Sequence, residues 1–395
     1  MTRRLAGPAS SVSSDLLARL GVGLCALSLA GAVEACGGDG EGGGGGGAGG
    51  ETAIAAARAQ LDRFRALPRF RPPGPAFDAR RALKGKRLFE ILITSEVPFV
   101  AAVEKGMKQA AAEAGAELVV FPNQGNPSQW AQGIRTAIAR KADAILLLAQ
   151  DPALIGPQIR QARTAGIPVV VLRTTGEDER CSLGTTCIPG PFEQAGRLEA
   201  DFVIADSGGE ADVIVVTSKD APSTAPLVRG LKDEFAQRCP RCRQRFVDVP
   251  FPDWGTKLRT EVQSALVRNP NSDYLIPIYD SMSQFAVPAI VAAQRAGRVK
   301  ISTFNGTPFV LRMLQEDDVV AMDVGEDLAW IGWASMDQAF RVVAHERPVR
   351  SENTPLRVFD DGNVDETGRP PRFDRGYGTA YVEGYRKLWG LTGNP

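Results

Sequence analysis

Residues 86–122 read KRLFEILITSEVPFVAAVEKGMKQAAAEAGAELVVFP, two apolar runs separated by an amphipathic segment. The runs 87–94 and 117–122 are short and rich in apolar residues, which is typical of strands covered on both faces. The segment between them starts after Pro98 and has the apolar spacing of a helix. Gly115 follows this segment, and glycine past a helix end adopts the left-handed conformation without steric cost. The stretch therefore predicts a βαβ unit and a parallel sheet.

The same alternation continues along the chain. Further apolar runs predict strands at 143–149, 167–173, 212–218, 245–249, 274–279, 299–304 and 319–324. Segments with helical spacing begin at 127 and lie near 227–237, 257–267, 284–296 and 328–343. The alternation restarts after Pro189, so we predict two consecutive α/β units. A Pro- and Gly-rich tail follows from Pro348.

The N-terminus carries targeting information. Residues 1–35 have early arginines followed by the apolar stretch 16–33, which predicts a signal peptide and export to the cell envelope or periplasm. Residues 36–50 are dominated by glycine and predict a flexible tether. Cys36 at the junction resembles the cysteine of a bacterial lipobox, which implies acylation and a membrane anchor. Ordinary signal cleavage nearby is the alternative. Residues 51–85 then predict a short helix and a Pro-rich connector.

The charge balance excludes some partners. The 46 basic and 46 acidic residues give a formal net charge of zero and are scattered, unlike the basic face of a nucleic-acid binder. Beyond the N-terminus no apolar run is long enough to cross a bilayer. We therefore expect a globular body without nucleic-acid partners.

The cysteines agree with export. Four of the six follow the predicted tether, at Cys181, Cys187, Cys239 and Cys242. Pairing by proximity predicts disulfides Cys181–Cys187 and Cys239–Cys242. Zinc binding is the weaker alternative, because a Cys-x-x-Cys pair needs two further ligands and the single histidine is His345.

Several short segments suggest a family. They are Phe89 to Thr94, Pro98-Phe99, Lys105-Gly106-Met107, Gly115 to Val120, Asp143 to Leu146, Ala165 to Val170, Arg229-Gly230, Tyr279 to Met282 and Phe304 to Pro308. Their order and spacing resemble the ribose-type periplasmic sugar-binding proteins, the type I solute-binding proteins of ABC transporters. The resemblance covers 86–391 and implies an α/β fold of two Rossmann-like lobes, joined by a three-crossover hinge and closing on a ligand.

The resemblance also implies lobe boundaries. Lobe 1 is expected to comprise 86–188 plus 326–354, and lobe 2 to comprise 189–325 plus 355–395.

Ligands of open α/β sheets bind beyond the carboxyl ends of the strands. Candidate ligand-binding residues at these ends, or near the last crossover, are Thr94, Ser95, Arg173, Thr174, Tyr279, Asp280, Asn305 and Glu326. A surface or hinge role is the alternative for Glu326. The resemblance implies that Phe99 and Trp254 are aromatic platforms for a sugar ring, and core packing is the alternative for each.

The predicted function is capture of a small sugar-like ligand for an ABC importer, without a cofactor, a metal or enzymatic activity. The permease and the membrane, through the lipid anchor, are the expected partners. The family's Asp before the strand-four Arg is Leu172 here, so a sugar acid facing Arg173 is an open alternative to a neutral sugar. A receptor subunit for a membrane signalling protein is another. The weaker enzymatic alternative is a hydrolase that uses Asp280 and Asp323.

Overall fold

The computed structural model describes residues 45–392 except Glu96, Cys181, Asp317 and Asp318. The predicted signal peptide and Cys36 therefore lie outside the described residues. Lobe 1 is built on a sheet of parallel strands in the order β2-β1-β3-β4-β5. These strands are β1 (Arg87–Leu92), β2 (Glu117–Phe121), β3 (Ala144–Leu148), β4 (Val169–Gly176) and β5 (Thr186–Gly190).

Helices cover both faces of this sheet. They are α2 (Ala79–Leu83), α3 (Pro98–Ala114), α4 (Pro127–Ala139), α5 (Gly156–Thr164) and α11 (Leu328–Val343). Helices α3 and α11 share one apolar core with the sheet, and α4 and α5 share the other. Pro98 occupies the first turn of α3, and Gly115 ends it with φ of 73°. The proline needs no backbone donor at that position, and the glycine supplies the left-handed turn into β2.

Lobe 2 contains a second sheet, in the order β11-β10-β9-β8-β6-β7, in which only the pairing of β11 with β10 is antiparallel. The strands are β6 (Asp212–Thr217), β7 (Arg243–Asp248), β8 (Tyr274–Pro277), β9 (Lys300–Asn305), β10 (Val320–Glu326) and β11 (Leu356–Phe359). Its helices are α6 (Phe192–Asp206), α7 (Thr224–Arg238), α8 (Arg259–Arg268), α9 (Ser283–Ala292) and α10 (Pro308–Glu316). Helices α6 and α7 pack on one face, and α8, α9 and α10 pack on the other.

The chain crosses between the lobes at three places in this core. It passes from β5 to α6, from β10 to α11, and from α11 to β11. This confirms the prediction of an α/β protein with two lobes and three crossovers. Strands β5 and β11 and helices α2, α6 and α10 were not predicted individually.

Two further segments connect the lobes outside this core. Helix α1 (Gly45–Arg65) packs in lobe 2 through Ala57 and Leu61, whereas Phe70, a few residues later, packs on Trp330 of lobe 1. Phe77 then donates a backbone hydrogen bond to the carbonyl of Leu388, 2.8 Å away. The Pro-rich connector therefore carries the chain from lobe 2 to lobe 1.

The tail crosses from lobe 2 to lobe 1 just before helix α12 (Ala380–Leu388) begins. Tyr377 belongs to the core of lobe 2, but Tyr381 and Tyr385 belong to the core of lobe 1. Trp389 stacks on Trp333 of α11 with ring centroids 5.2 Å apart. The assignment of all of 355–395 to lobe 2 is therefore wrong, because these aromatic side chains bury their apolar surface against α11.

Each lobe contains a close helix crossing at glycine. A Cβ atom on Gly106 of α3 would lie 2.7 Å from the carbonyl oxygen of Ala329 on α11. In lobe 2, a Cβ atom on Gly230 of α7 would overlap the carbonyl of Glu193 on α6. The helices therefore touch through their backbones, and only glycine leaves room for this contact.

The structure modifies the prediction for the tether and confirms one of the two predicted disulfides. Helix α1 begins at Gly45, so the last residues of the predicted tether continue the alanine-rich helix that follows them. Cys239 and Cys242 form a disulfide after α7. Cys181 is not described, so its pairing with Cys187 stays a prediction.

None of the described helices combines the length and apolar character that spanning a membrane requires.

Candidate ligand-binding cleft

A cavity of about 70 Å³ lies between the carboxyl ends of the two sheets. Lobe 1 contributes Ile93, Val97, Phe99, Val100, Ala149 and Arg173, and lobe 2 contributes Phe192, Ala221, Ser223, Phe251, Trp254, Tyr279, Ser281 and Asn305. Such a cavity lies where two-lobed binding proteins close on their ligands by hinge motion.

Arg173 and Glu326 form a buried ion pair beside this cavity. Arg173 is 3% exposed and Glu326 is 0% exposed. The Nη2 group of Arg173 donates to both carboxylate oxygens of Glu326 at 2.5 Å. The guanidinium also lies over the ring of Phe192, 4.7 Å from its centroid. Burial raises the pKa of Glu326, and the neighbouring Arg173 charge opposes that rise. The pair joins β4 of lobe 1 to the end of β10, where the chain crosses between lobes.

Three residues at the cavity adopt unusual backbone conformations. Ala149 follows β3, Arg173 lies within β4 where its register with β5 shifts, and Asn305 ends β9, with φ of 69°, 62° and 145°. Such conformations cost side-chain-bearing residues roughly 1–3 kcal/mol each and concentrate at ligand sites. Their coincidence at one cavity supports a binding role for this edge of the sheets.

Trp254 belongs to the cavity wall and to the core of lobe 2 at the same time. It is 7% exposed, and its Nε1 group donates to Ser218 Oγ at 2.7 Å and to the Val249 carbonyl at 3.2 Å. Its ring packs 4.8 Å from that of Phe251 and 6.2 Å from that of Tyr279. The indole N–H is therefore held by the protein, and the ring faces remain for apolar contact.

The other candidate residues divide into two groups. Phe99, Arg173, Trp254, Tyr279 and Asn305 line the cavity. Thr94, Ser95, Thr174, Asp280 and Glu326 do not. The Ser95 hydroxyl accepts a hydrogen bond from the Asn123 backbone N–H, and Glu326 lies behind Arg173. The strand-end rule places residues near the site, but side chains alternate in direction along a strand, so only some of them face the cleft.

Asp280 lies between the wall residues Tyr279 and Ser281 but does not itself line the cavity. It is fully buried and accepts hydrogen bonds from the backbone N–H and hydroxyl of Thr307, at 2.5 and 2.7 Å. Burial raises its pKa to about 7, although the hydrogen bonds from Thr307 and Ser281 oppose the rise. The neighbouring Asp323 accepts from the Gly306 backbone N–H at 3.0 Å. Neither carboxylate lines the cavity, so the arrangement does not favour a hydrolase built on these two groups.

Sequence reasoning missed most of the apolar wall. The missed residues are Ile93, Val97, Val100, Ala149, Phe192, Ala221, Ser223, Phe251 and Ser281. Ala149 and Ser281 follow strand ends and could have been found by the same rule as Arg173. Phe192 lies at the start of a helix, and Phe251 lies in a turn. No local sequence pattern indicates that either residue reaches the cleft.

Comparison with known proteins identifies the family. Residues 91–347 match the sequence model of the periplasmic binding protein domain. The ribose import binding protein RbsB of Salmonella typhimurium is 24% identical over 260 residues, which cover 65% of this chain and 84% of that protein. The D-apiose import binding protein of Actinobacillus succinogenes is 24% identical over 214 residues, covering 54% and 67%.

Solved structures share the fold. A solute-binding protein of an ABC transporter from Agrobacterium vitis, bound with α-D-tagatopyranose, has a TM-score of 0.66 and 21% identity, covering 74% of this chain and 99% of that chain. GanP, a glucose-galactose binding protein from Geobacillus stearothermophilus, has a TM-score of 0.63 and 21% identity, covering 70% and 98%. Together with the two lobes, the crossovers and the cavity between them, these matches show that the chain belongs to the periplasmic binding protein family and resembles its ribose-type members.

Proposed function

We propose that the protein captures a small sugar or sugar-like ligand between its lobes and delivers it to an ABC importer. The observation that carries this proposal is the cavity at the carboxyl ends of both sheets, to which Phe99 of lobe 1 and Trp254 of lobe 2 contribute aromatic rings. Aromatic faces suit the apolar face of a sugar ring. The relatives include import binding proteins for ribose and D-apiose, which points to the same class of ligand.

A calorimetric titration of the full chain tests this function. We expect saturable binding, with one site per chain, for at least one member of a panel of pentoses, hexoses and their derivatives. Binding should also raise the melting temperature, because a ligand that binds only the folded state stabilises it by mass action. A complete panel without binding would contradict the proposal.

Phe99→Ala is a variant that tests the aromatic contact in this titration with little damage to the core. Phe99 is only partly buried, whereas truncating the buried Trp254 would also damage the lobe 2 core. We expect Phe99→Ala to weaken ligand binding by about 1–3 kcal/mol, the scale of a lost aromatic contact at a desolvated site. Phe246→Ala is the matched control, since Phe246 lies on β7 and is 38% exposed. Equal affinities of the two variants would remove Phe99 from the site.

The proposed cargo is neutral rather than acidic, and the proposed role is binding without covalent chemistry. Arg173, the cation that a sugar acid would need, is already paired with Glu326 inside the protein. His345 lies beyond the end of α11 and does not line the cavity. The pairing of Arg173 and the position of His345 favour an importer subunit over a hydrolase. The relatives are import binding proteins, which favours an importer subunit over a signalling receptor.

We also propose that the protein is a lipoprotein, exported and anchored at Cys36. The cysteine follows an apolar leader and precedes a glycine-rich segment that suits a spacer from a surface. Mass spectrometry of the mature N-terminus is expected to show a diacylglyceryl cysteine as the first residue, and Cys36→Ala is expected to release the protein from the membrane fraction. An unmodified N-terminus elsewhere would refute the anchor.

A further inference from the structure

The cavity walls are unusually apolar for a site that holds a sugar. Within the part of the chain that the structure describes, the only lobe 1 wall residue with a polar side chain is Arg173. The rest of that wall consists of the apolar residues Ile93, Val97, Phe99, Val100 and Ala149. Each hydroxyl of a buried sugar needs a hydrogen-bond partner, and burial without one costs free energy. Among the described side chains of the lobe 1 wall, hydrogen-bond donors are therefore found only on Arg173.

The polar side chains of the lobe 2 wall each hydrogen-bond to another protein side chain. The Tyr279 hydroxyl is 2.7 Å from Ser223 Oγ. Ser281 donates to Asp280 at 3.2 Å, and the Asn305 amide donates to Glu326 at 3.4 Å. The rings of Phe192, Phe251 and Trp254 line the same wall. A ligand thus meets polar side chains that already have protein partners, together with a large aromatic surface.

Arg173 is the exception. Its Nε and Nη1 groups are buried and have no hydrogen-bond partner. A buried guanidinium N–H without an acceptor is costly, so these donors call for an acceptor on the ligand. The Glu326 carboxylate already balances the Arg173 charge, so the acceptor need not be charged. A second anion at the same guanidinium would meet a positive charge that Glu326 already neutralises.

From these observations we propose that the ligand is a neutral sugar or sugar-like molecule with two unlike edges. This inference rests on the proposed function and narrows its substrate class. One edge carries oxygen acceptors, which take the hydrogen bonds of Arg173. The other edge is apolar, through a deoxy position or an alkyl or aryl substituent, and packs against Phe251, Phe99 and Trp254.

A paired-ligand titration of the full chain tests the proposal. The probes are D-ribose, D-galactose and D-glucose, each beside its methyl and phenyl β-glycosides, together with 6-deoxygalactose and D-glucuronate. At least one apolar-substituted or deoxy probe is expected to bind roughly ten-fold more tightly than its parent sugar, since burying one or two methylene equivalents has this effect. D-Glucuronate is expected to bind more weakly than D-glucose or its glycosides.

A pair of variants tests whether the apolar wall causes this preference. Phe251→Gln replaces an aromatic wall residue by an amide and is expected to reduce the preference for the substituted probe by roughly ten-fold. Phe246→Gln, the matched change on β7 away from the cavity, is expected to leave it unchanged.

The outcomes separate the inference from the function on which it rests. If the parent sugars bind as tightly as their apolar derivatives, the two-edged ligand is wrong and sugar capture stands. If D-glucuronate binds most tightly, the claim of a neutral ligand is wrong. If no probe binds at all, the proposed function itself fails, and the inference with it. An equal loss of preference in both glutamine variants would show that the Phe251 wall does not set the selectivity.

Discussion

Glu326→Ala is expected to lower the free energy of unfolding by about 3–5 kcal/mol, the cost of leaving one partner of a buried ion pair without the other. Glu326 is fully buried, and its carboxylate is the counter-charge of Arg173 at 2.5 Å. In the variant, the guanidinium would keep its buried position with Nε and Nη1 unpartnered and would lose the acceptor of Nη2 as well. Thermal and urea unfolding of the full chain measure the change.

Two further variants make this result specific to the buried pair. Glu316→Ala removes a carboxylate that pairs with Arg312 on α10, where both side chains are 59% exposed. This control should cost only about 0–1 kcal/mol, because water screens an exposed pair. The double variant Arg173→Met with Glu326→Leu should recover much of the lost stability, since an apolar pair leaves no charge buried. A Glu326→Ala protein that melts like the parent would contradict the assigned role of the pair.

Gly230→Ala is expected to destabilise the protein by about 3 kcal/mol, at the upper end of the usual cost of overpacking a core. The new methyl group would overlap the Glu193 carbonyl on α6, and α6 presents its own glycine, Gly196, to the carbonyl of Leu227 on α7. Because the obstacles are backbone atoms, neither helix can make room by rotating a side chain. The helices must move apart, which loosens the core that holds Phe192 at the cleft.

Gly255→Ala is the matched control for this substitution. No heavy atom lies within 4 Å of the position that its Cβ would take. Its stability change should be small or favourable, by roughly 0.4–1 kcal/mol, because alanine restricts the unfolded chain more than glycine does. Similar melting temperatures for Gly230→Ala and Gly255→Ala would show that the crossing of α6 and α7 tolerates a side chain.

Most of the parallel strands were predictable from sequence because they are apolar on both faces, whereas β7, RQRFVD, is mainly polar and was found through Phe246 and Val247. Strands β1 to β4 and β6 to β10 all fall within or beside predicted runs. Strand β5 was missed because its sequence, TCIPG, combines polar, proline and glycine residues in a short segment. Strand β11 contains Arg357, and α12 lies in a tail rich in proline and glycine. Their apolar partners lie far away in sequence, so no local pattern reveals them.

The candidate site was predictable only in part, for a related reason. The strand-end rule needs only the ends of strands, and it found Arg173, Tyr279 and Asn305. It could not show that Glu326, on another lobe's strand, neutralises Arg173, since that contact spans 153 positions. Nor could it show that the wall is mainly apolar, because Phe192 and Phe251 reach the cavity from elements whose direction depends on how the lobes meet.

The two extra connections between the lobes change the thermodynamics of closure. The N-terminal connector and the tail both lie outside residues 91–347, the part that matches the family, and both pass from one lobe to the other. Such cross-links restrict the relative orientations that the separated lobes can sample, so the open ensemble is narrower. Closing a narrower ensemble loses less conformational entropy, and more of the contact free energy is then observed as affinity. None of the described residues that line the cavity belongs to these segments, and we therefore expect them to pre-organise the cleft from a distance.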